Sequence, residues 1–261
     1  MRRLLFQLRL LLSGGNAKVR SGNIRFSLHP SQPQLRRSLA DGWPPVLSKL
    51  VRLADAETLF LDIGANVGAA TLLVAKHCGS SVLAFEPDLH HFSELAENLL
   101  LNPGLNITPF NLALTTHPGF LTIAPAATGR ALPPAKGQGP EARLPARKED
   151  LLLAASISLD ELARLYLEAW KPGRLLIRID AGRHELDVLH GATTLLSSPL
   201  PMAVCTAFHS PEHLFEIKDF LSVYRLYPFE PPFSPKLKTA PERGSSEAFF
   251  ANEAWAEKAG I

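Results

Sequence analysis

Short apolar runs and stretches with helical periodicity alternate along most of the chain. The runs at residues 58–62 (TLFLD) and 82–86 (VLAFE) predict buried strands, because strands covered on both faces of a sheet are apolar throughout. Residues 67–77 and 87–101 each follow one of these runs and predict helices. The core-facing residues expected on these helices are Val67, Ala70, Thr71, Val74, Ala75, Leu89, Phe92, Leu95, Ala96 and Leu99.

The same alternation continues to the end of the chain. Further strands are predicted at residues 107–110, 120–123, 175–180, 203–208 and 248–251, and further helices at 158–166, 184–196 and 214–222. Strands alternating with helices predict an α/β fold with a doubly wound, mainly parallel sheet. We expect residues 58–123 and 175–251 to contribute to one sheet. Ligands of such sheets bind at the carboxyl ends of the strands, near the point where the strand order reverses.

This pattern divides the chain into a lead-in and one domain. Residues 1–56 are predicted to be a basic, irregular or partly helical lead-in, and residues 57–261 the α/β domain. Within that domain, residues 124–150 contain five prolines and three glycines. Such a composition prevents a regular element and predicts a mobile loop over the substrate side.

A glycine-containing turn joins the first predicted strand to its helix. Residues 62–68 (DIGANVG) place Gly64 where a tight turn and the close approach of a ligand to the backbone are needed. The helix start is expected to present free N–H groups to the ligand. Glu86 ends the next strand, where a carboxylate can accept both hydroxyls of a ribose. The predicted cofactor pocket therefore contains Asp62, Gly64, Asn66, Gly68 and Glu86, with Asn111 and Ala113 at its adenine end.

Two cofactors use this arrangement, dinucleotides and S-adenosylmethionine (SAM). The dinucleotide pattern GxGxxG would need glycine at position 66, where this chain has Asn66. Asp62 ahead of the turn suits a cationic ligand better than a pyrophosphate, and SAM carries a sulfonium and an amino group. SAM is therefore the expected cofactor. An NAD-dependent oxidoreductase and an unrelated α/β protein with a glycine turn are the alternatives.

Several motifs in order resemble the FkbM family of O-methyltransferases over roughly residues 55–250. They are residues 60–68 (FLDIGANVG), 84–88 (AFEPD), the F-x-x-L-x-x-N-L-x-x-N spacing of residues 92–102, 158–160 (SLD) and 179–192 (IDAGRHELDVLHGA). The resemblance implies a Rossmann-like class I methyltransferase fold and SAM-dependent methylation of hydroxyls on small molecules or glycans. It implies a transferase with a small-molecule or glycan acceptor.

Two departures from the family pattern fall on the expected substrate side. The family usually has Glu-Gly where this chain has Gly182 and Arg183, and often has an acid where this chain has Ala207. An alternative function is therefore a catalytically impaired SAM-binding or interaction module. For an active enzyme, Asp180 at a strand end is expected to face the substrate or the methyl group, with a helix cap as its alternative role. His209 is the candidate base, because histidine exchanges protons near neutrality, with an exposed loop residue as its alternative role.

Neither a metal nor a nucleic acid is expected. His184-Glu185 lacks the second histidine of an HExxH motif, and Glu185 is expected to be an acid of a first helical turn. His209 and His213 have i,i+4 spacing, but Pro211 stands between them and argues against a shared metal. Residues 230–233 (EPPF) resemble a motif of methyltransferases that act on amino groups of nucleic acids, but lie in the wrong place in the order of strands.

Charge is unevenly distributed, although the net charge is only +2. The first forty residues contain eight Lys or Arg and no acid, an asymmetry that can indicate an anionic partner. Leucines at residues 4–12 fit one helix face, and we expect a short helix that packs on the domain. An organelle transit peptide and a membrane-surface helix are alternatives. Two cysteines without a CxxC pair indicate a reducing, cytoplasmic location. The oligomeric state is not predicted.

Overall fold

The computed structural model describes residues 17–29, 32–123, 152–229 and 247–259. The predicted N-terminal leucine helix, the Pro/Gly-rich loop at 124–150 and residues 230–233 lie outside these ranges. Residues 17–53 form strands β1 (Ala17–Ser21) and β2 (Ile24–Leu28) and helices α1 (Pro33–Asp41) and α2 (Pro45–Leu53).

The remaining elements contain the alternating strands and helices. Up to the Pro/Gly-rich loop these are β3 (Thr58–Ile63), α3 (Ala69–Cys78), β4 (Ser81–Phe85), α4 (Leu89–Leu100), β5 (Ile107–Phe110), β6 (Ala113–Leu114) and β7 (Gly119–Ile123). After it come β8 (Leu152–Ile157), α5 (Leu159–Trp170), β9 (Arg174–Ile179), α6 (Glu185–His190), α7 (Thr193–Leu196), β10 (Met202–Ala207), α8 (Pro211–Val223), β11 (Tyr227–Phe229), β12 (Glu247–Ala251) and α9 (Glu253–Ala259).

Seven strands form the central sheet, in the order β11-β12-β10-β9-β3-β4-β5. The chain runs outward from β3 through β4 to β5, then returns to the other side of β3 as β9 and continues to β10. All these neighbours pair in parallel, and β12 alone runs against its neighbours β10 and β11. This order confirms the predicted doubly wound, Rossmann-like fold of class I methyltransferases. The strand order reverses between β3 and β9.

Apolar side chains cover both faces of this sheet. Phe60 of β3 and Leu176 of β9 lie in one buried cluster with α2, α3 and the β1–β2 hairpin, whereas Leu61 and Ile177 point into the other, with α6 and α8. Alternate residues of each strand therefore enter opposite cores, which explains why the strands are apolar throughout.

The lead-in packs on the domain. It contains two helices, α1 and α2, and a β1–β2 hairpin that was not predicted. Two asparagines of the 92–102 motif hold this hairpin on α4. Asn98 accepts a hydrogen bond from the Ser27 N–H and donates to the Val67 carbonyl, and Asn102 bonds both the N–H and the carbonyl of Arg25. The motif therefore joins the hairpin to the turn between β3 and α3.

Three details differ from the sequence prediction. Residues 119–123 do not join the central sheet, because β7 pairs with β8 in a separate three-stranded sheet of order β6-β8-β7. Phe120 in this sheet is exposed, so its apolar character misled the prediction. The predicted helix at 184–196 is interrupted at Gly191, where a Cβ atom would lie 2.1 Å from the Thr115 carbonyl oxygen. Leu89 was predicted to face the core but is exposed.

The helices of the described segments are too short or too polar to span a bilayer.

Candidate cofactor and acceptor site

The turn between β3 and α3 is built from backbone conformations that favour glycine. Gly64 and Gly68 have φ angles of 79° and 87°, and Asn66 has a φ of 51°. A Cβ atom on Gly64 would lie 2.0 Å from the Asp180 carbonyl oxygen at the end of β9. The close approach that requires glycine at position 64 is therefore to the neighbouring strand, not only to a ligand as predicted.

The N–H groups of this turn are used inside the protein. Gly64 and Ala65 both donate to the Phe85 carbonyl at the end of β4, and Gly68 donates to the Ala65 carbonyl. The Val67 N–H donates to the Asn66 side chain. The turn at residues 64–68 therefore uses its own N–H groups to hold its shape, and the free N–H groups predicted at the helix start stay a prediction.

Glu86 is the acid that this turn orients. Its Oε2 accepts the Asn66 N–H at 2.8 Å, and its Oε1 accepts the Asp88 N–H at 2.9 Å. Interaction with Glu86 raises the pKa of His91, whose Nδ1 lies 3.9 Å from Oε1. Each carboxylate oxygen can accept more than one hydrogen bond. Glu86 is thus fixed in position and retains acceptor capacity beside the turn.

Asp62 has a different role from the one predicted. The carboxylate is fully buried, with one oxygen bonded to the Thr71 hydroxyl at 2.5 Å and the other to Nη1 of Arg178 at 2.8 Å. Arg178 lies directly beside Asp62 in the β3–β9 register, and its Nη2 contacts Asp180 at 2.6 Å. Asp62 therefore neutralises a buried arginine, and the expectation that it faces a cationic ligand is wrong.

The carboxylates of Asp62 and Asp180 both stabilise the positive charge of Arg178. Burial alone would lower the pKa of Arg178, but the carboxylates of Asp62 and Asp180 more than reverse that effect and raise it. The Asp180 side chain is 47% exposed. Of the two carboxylates that pair with Arg178, that of Asp180 is therefore the one that can still contact a ligand.

The two residues predicted at the adenine end lie next to the end of β5. The Asn111 amide donates to the carbonyl oxygens of Glu86 and Pro87 and so links the ends of β4 and β5. Ala113 is buried in β6, opposite Ser156 of β8. Asn111 borders the Glu86 loop, while Ala113 contributes its backbone to the small sheet.

A second buried acid lies at the carboxyl end of β9. Glu185 is fully buried, and its Oε1 accepts the N–H groups of Ala181 and Arg183 at 3.1 and 3.3 Å. Its side chain therefore closes the loop between β9 and α6. Glu185 lies in the first turn of α6, which confirms the expected first-turn acid, whereas the burial of its side chain was not predicted.

Two histidines from the next strand end reach this acid. Nε2 of His209 lies 3.3 Å from Oε1 of Glu185, and Nε2 of His213 lies 3.8 Å from Oε2. The two imidazole rings stack, with centroids 5.6 Å apart and planes inclined by 10°. Glu185, His209 and His213 are named here the Glu–His–His cluster.

Pro211 does not separate the two histidines, contrary to the prediction. Ser210 caps α8 by accepting the His213 N–H, and Pro211 takes the first helical position, where a missing N–H has no cost. His209 precedes the cap, and its backbone N–H donates to Nδ1 of His213 at 3.3 Å. The proline thus starts the helix that brings both rings together.

The departures from the family pattern lie close to this cluster. Gly182 and Arg183 both have positive φ angles, 61° and 88°. Arg183 is exposed and occupies the left-handed conformation where the family usually has glycine. Ala207 is buried at the end of β10 and pairs with Glu247 of β12.

Three residues of this region were not assigned to the site from the sequence: Arg178, Glu185 and His213. Arg178 stands two positions before Asp180, and the two-residue repeat of strands could have linked them. Glu185 and His213 carried no such signal, because their proximity depends on how α6 and α8 pack. Pattern analysis placed the strand ends correctly but could not find contacts between different loops.

Comparison with known proteins gives one sequence relative. No family model matches the chain. It is 27% identical over 182 residues to the hexuronic acid methyltransferase AglP of Haloferax volcanii, covering 70% of each protein. The chain therefore shares sequence similarity with a methyltransferase over most of its length.

Solved structures of several methyltransferases are also similar. A SAM-dependent methyltransferase of Agrobacterium tumefaciens is 12% identical, covering 92% of this chain and 70% of its own, with a TM-score of 0.45. M. jannaschii TYW2, solved in complex with AdoMet, is 12% identical, covering 90% and 83%, with a TM-score of 0.42. Precorrin-6y C5,15-methyltransferase of Geobacter metallireducens is 15% identical, covering 79% and 83%, also with a TM-score of 0.42.

Proposed function

We propose that this protein is a SAM-dependent O-methyltransferase of the FkbM type, acting on a hydroxyl of a glycan or small molecule in the cytoplasm. The observation that carries the proposal is the position of Glu86. It stands at the carboxyl end of β4, beside the glycine turn and close to the reversal of strand order, with both oxygens oriented by backbone N–H groups.

The residues around the turn fit a nucleoside with a cationic end. Glu86 would accept the ribose hydroxyls, because a fixed carboxylate pays little ordering entropy when it accepts two donors. Gly64, Asn66 and Gly68 would shape the floor of the pocket, with Asn111 and Ala113 at the adenine end. Asp62 supports this floor through Arg178, and the exposed Asp180 carboxylate would face the positive end. When bound, SAM supplies an electrophilic methyl group.

The acceptor proton is assigned to His209. Its Nε2 faces the Glu185 carboxylate, so in the neutral ring Nε2 carries the hydrogen and Nδ1 is the basic nitrogen. Nδ1 would take the proton of an acceptor hydroxyl held beside it. Buried Glu185 then stabilises the imidazolium that forms. Asp180, held by Arg178, positions ligand rather than removing the proton.

An acidic sugar is the acceptor class we favour. The relative from Haloferax volcanii is a hexuronic acid methyltransferase, and a uronic acid carries a carboxylate. In this chain Arg183 is exposed on the loop that follows β9, between Asp180 and Glu185 in sequence. Its guanidinium can pair with such a carboxylate in a bidentate manner.

Titration calorimetry with SAM and with NAD tests the cofactor half of the proposal. We expect SAM to bind and NAD not to bind. Glu86→Ala should weaken SAM binding by about 1–3 kcal/mol, because charge-assisted ribose hydrogen bonds are lost. Glu216→Ala, which removes an exposed acid on α8, is the matched control and should change nothing. NAD binding, or SAM affinity unchanged in a folded Glu86→Ala variant, would contradict the proposal.

The departures at Gly182 and Ala207 favour a second candidate, a SAM-binding interaction module without transfer activity. Assays with uronic-acid glycans, neutral glycans and RNA as methyl acceptors separate the two. Transfer to the acidic glycan supports the enzyme. SAM binding without transfer to any of the three favours the module, and transfer to RNA would contradict the proposed acceptor class.

A further inference from the structure

We propose that the Glu–His–His cluster is a binding site for one divalent transition-metal ion such as Zn²⁺. The cluster lies near the ends of β9 and β10, where the proposed function places the methyl acceptor. The predicted effect of the metal on catalysis rests on that proposed function, but the metal site itself does not.

The donor atoms of the cluster are already close together. One atom from each of Glu185, His209 and His213 lies within 4.8 Å of the other two. Tetrahedral zinc with bonds of about 2.0–2.1 Å holds its ligand atoms about 3.3 Å apart. The observed 3.8 Å between Nε2 of His213 and Oε2 is near that spacing, and Nε2 of His209 lies 3.3 Å from the other oxygen of the same carboxylate. Small side-chain rotations would therefore close the site.

A buried oxygen without a partner points to a missing ligand. Oε2 of Glu185 is inaccessible to solvent and has no hydrogen-bond partner, with Nε2 of His213 beyond hydrogen-bonding distance. Leaving a buried acceptor unsatisfied is unfavourable, and more so for a charged group. A cation between Oε2 and the two imidazoles would satisfy this oxygen.

The surroundings hold the carboxylate as the second layer of a metal site does. The N–H groups of Ala181 and Arg183 donate to Oε1 and fix the orientation of Glu185. Binding has one cost, because Nε2 of His213 can ligate only if Nδ1 carries the proton. The hydrogen bond from the His209 N–H to that Nδ1 must then be given up. At 3.3 Å this bond is long, and we expect metal coordination to outweigh its loss.

The donor set selects the class of metal and leaves room for another ligand. Two imidazoles and one carboxylate suit zinc and its first-row neighbours rather than Mg²⁺ or Ca²⁺, which prefer oxygen ligands. The His209 side chain is 32% exposed, whereas Glu185 is fully buried. The site is therefore open on the side of His209, where water or an acceptor oxygen can take the fourth position.

Metal binding at this cluster should inhibit the proposed reaction. Coordination through Nε2 of His209 leaves the ring proton on Nδ1, so that Nδ1 can no longer accept the proton of the hydroxyl. We expect added zinc to lower methyl transfer without changing SAM affinity, and a chelator to restore it.

Equilibrium dialysis of the untagged full chain against Zn²⁺ tests the site directly, and the visible absorption of bound Co²⁺ reports its geometry. We expect one zinc per chain and a tetrahedral cobalt spectrum. His213→Gln and Glu185→Gln should each lower zinc affinity by about 100-fold or more, since even residues behind the ligands cost 10–100-fold. His77→Ala, which removes an exposed histidine at the far end of α3, should leave affinity unchanged.

Background binding by thiols should be small, because burial raises the pKa of Cys205 and raises the pKa of Cys78 to about 11. Glu185→Gln removes a charge from the core, so circular dichroism must first show that this variant is folded. If it is not folded, His213→Gln tests the same site from a partly exposed position. Absence of zinc binding, or binding unaffected by a folded His213→Gln, would overturn the metal site. Zinc binding by a chain that transfers no methyl group after a chelator has removed the zinc would leave the site standing and refute the proposed enzyme.

Discussion

The two halves of the candidate site differ in how their polar groups are satisfied. At the ends of β3 and β4, the N–H groups of residues 64–68 have acceptors, and Glu86 and Asp62 each accept two hydrogen bonds. At the ends of β9 and β10, the buried carboxylate of Glu185 has one oxygen without a hydrogen-bond partner, close to two histidines. The first half is complete without a ligand, whereas the second is not.

The difference suggests that the first half is preorganised to bind a cofactor and that the second half keeps groups that can react. A rigid, satisfied turn lowers the entropy lost when a cofactor binds. A buried group with unused capacity keeps the ability to exchange a proton or hold an ion. We therefore expect substitutions in the first half to change stability and cofactor affinity, and substitutions in the second to change the chemical step.

The largest effect is expected for the base. His209→Ala should lower the rate of methyl transfer by about 10²–10⁴-fold, because a general base contributes that much to such a step. SAM affinity should stay nearly the same, since His209 acts on the acceptor. Single-turnover transfer measured with the acidic glycan checks this. A parent-like rate in the variant would exclude His209.

Asp62→Ala should have the largest effect on stability. The variant leaves the buried Arg178 with Asp180 as its remaining carboxylate partner, and breaking a buried ion pair costs about 3–5 kcal/mol. Urea denaturation followed by fluorescence would report the loss. Glu57→Ala removes an exposed partner of Lys258 and serves as control, with an expected change of at most about 1 kcal/mol. Equal losses in the two variants would refute the structural role of Asp62.

The sequence predicted the first half better than the second, for a physical reason. Residues 60–68 and 84–88 are each one uninterrupted sequence motif, and the cofactor turn is shaped largely by its own backbone, so the local sequence pattern was enough to predict it. The local pattern could not reveal that Asp62 forms an ion pair with Arg178, because that pairing depends on strand register. The Glu–His–His cluster joins Glu185 to histidines at least 24 positions further along the chain, and its geometry follows from how α6 and α8 begin. The β1–β2 hairpin escaped prediction because Arg20 and Arg25 hide its short apolar pattern.

A pH titration sharpens the comparison within the first half. Glu86 raises the pKa of His91, so His91 binds its proton more tightly in the folded than in the unfolded protein. Its contribution to stability is therefore fully present below the unfolded pKa and is lost as pH rises through the raised folded value. Glu86→Gln should lower the His91 pKa measured by NMR. An unchanged titration curve would show that the two side chains do not interact.

The smallest effect is expected at Arg183. A non-glycine residue at a φ of 88° is strained, and Arg183→Gly should raise the free energy of unfolding by about 1 kcal/mol. The same substitution should weaken binding of an acidic glycan relative to a neutral one, because the guanidinium is removed. Thermal unfolding and glycan titration measure the two effects. A loss of stability would mean that contacts of the arginine outweigh the strain.

A crystal structure with bound SAM tests the central claim most directly, because it locates the cofactor relative to both halves. We predict the ribose hydroxyls on Glu86 and the methyl group directed towards the ends of β9 and β10, where Asp180 and His209 lie. A ribose away from Glu86, or a methyl group directed away from those strand ends, would contradict the account.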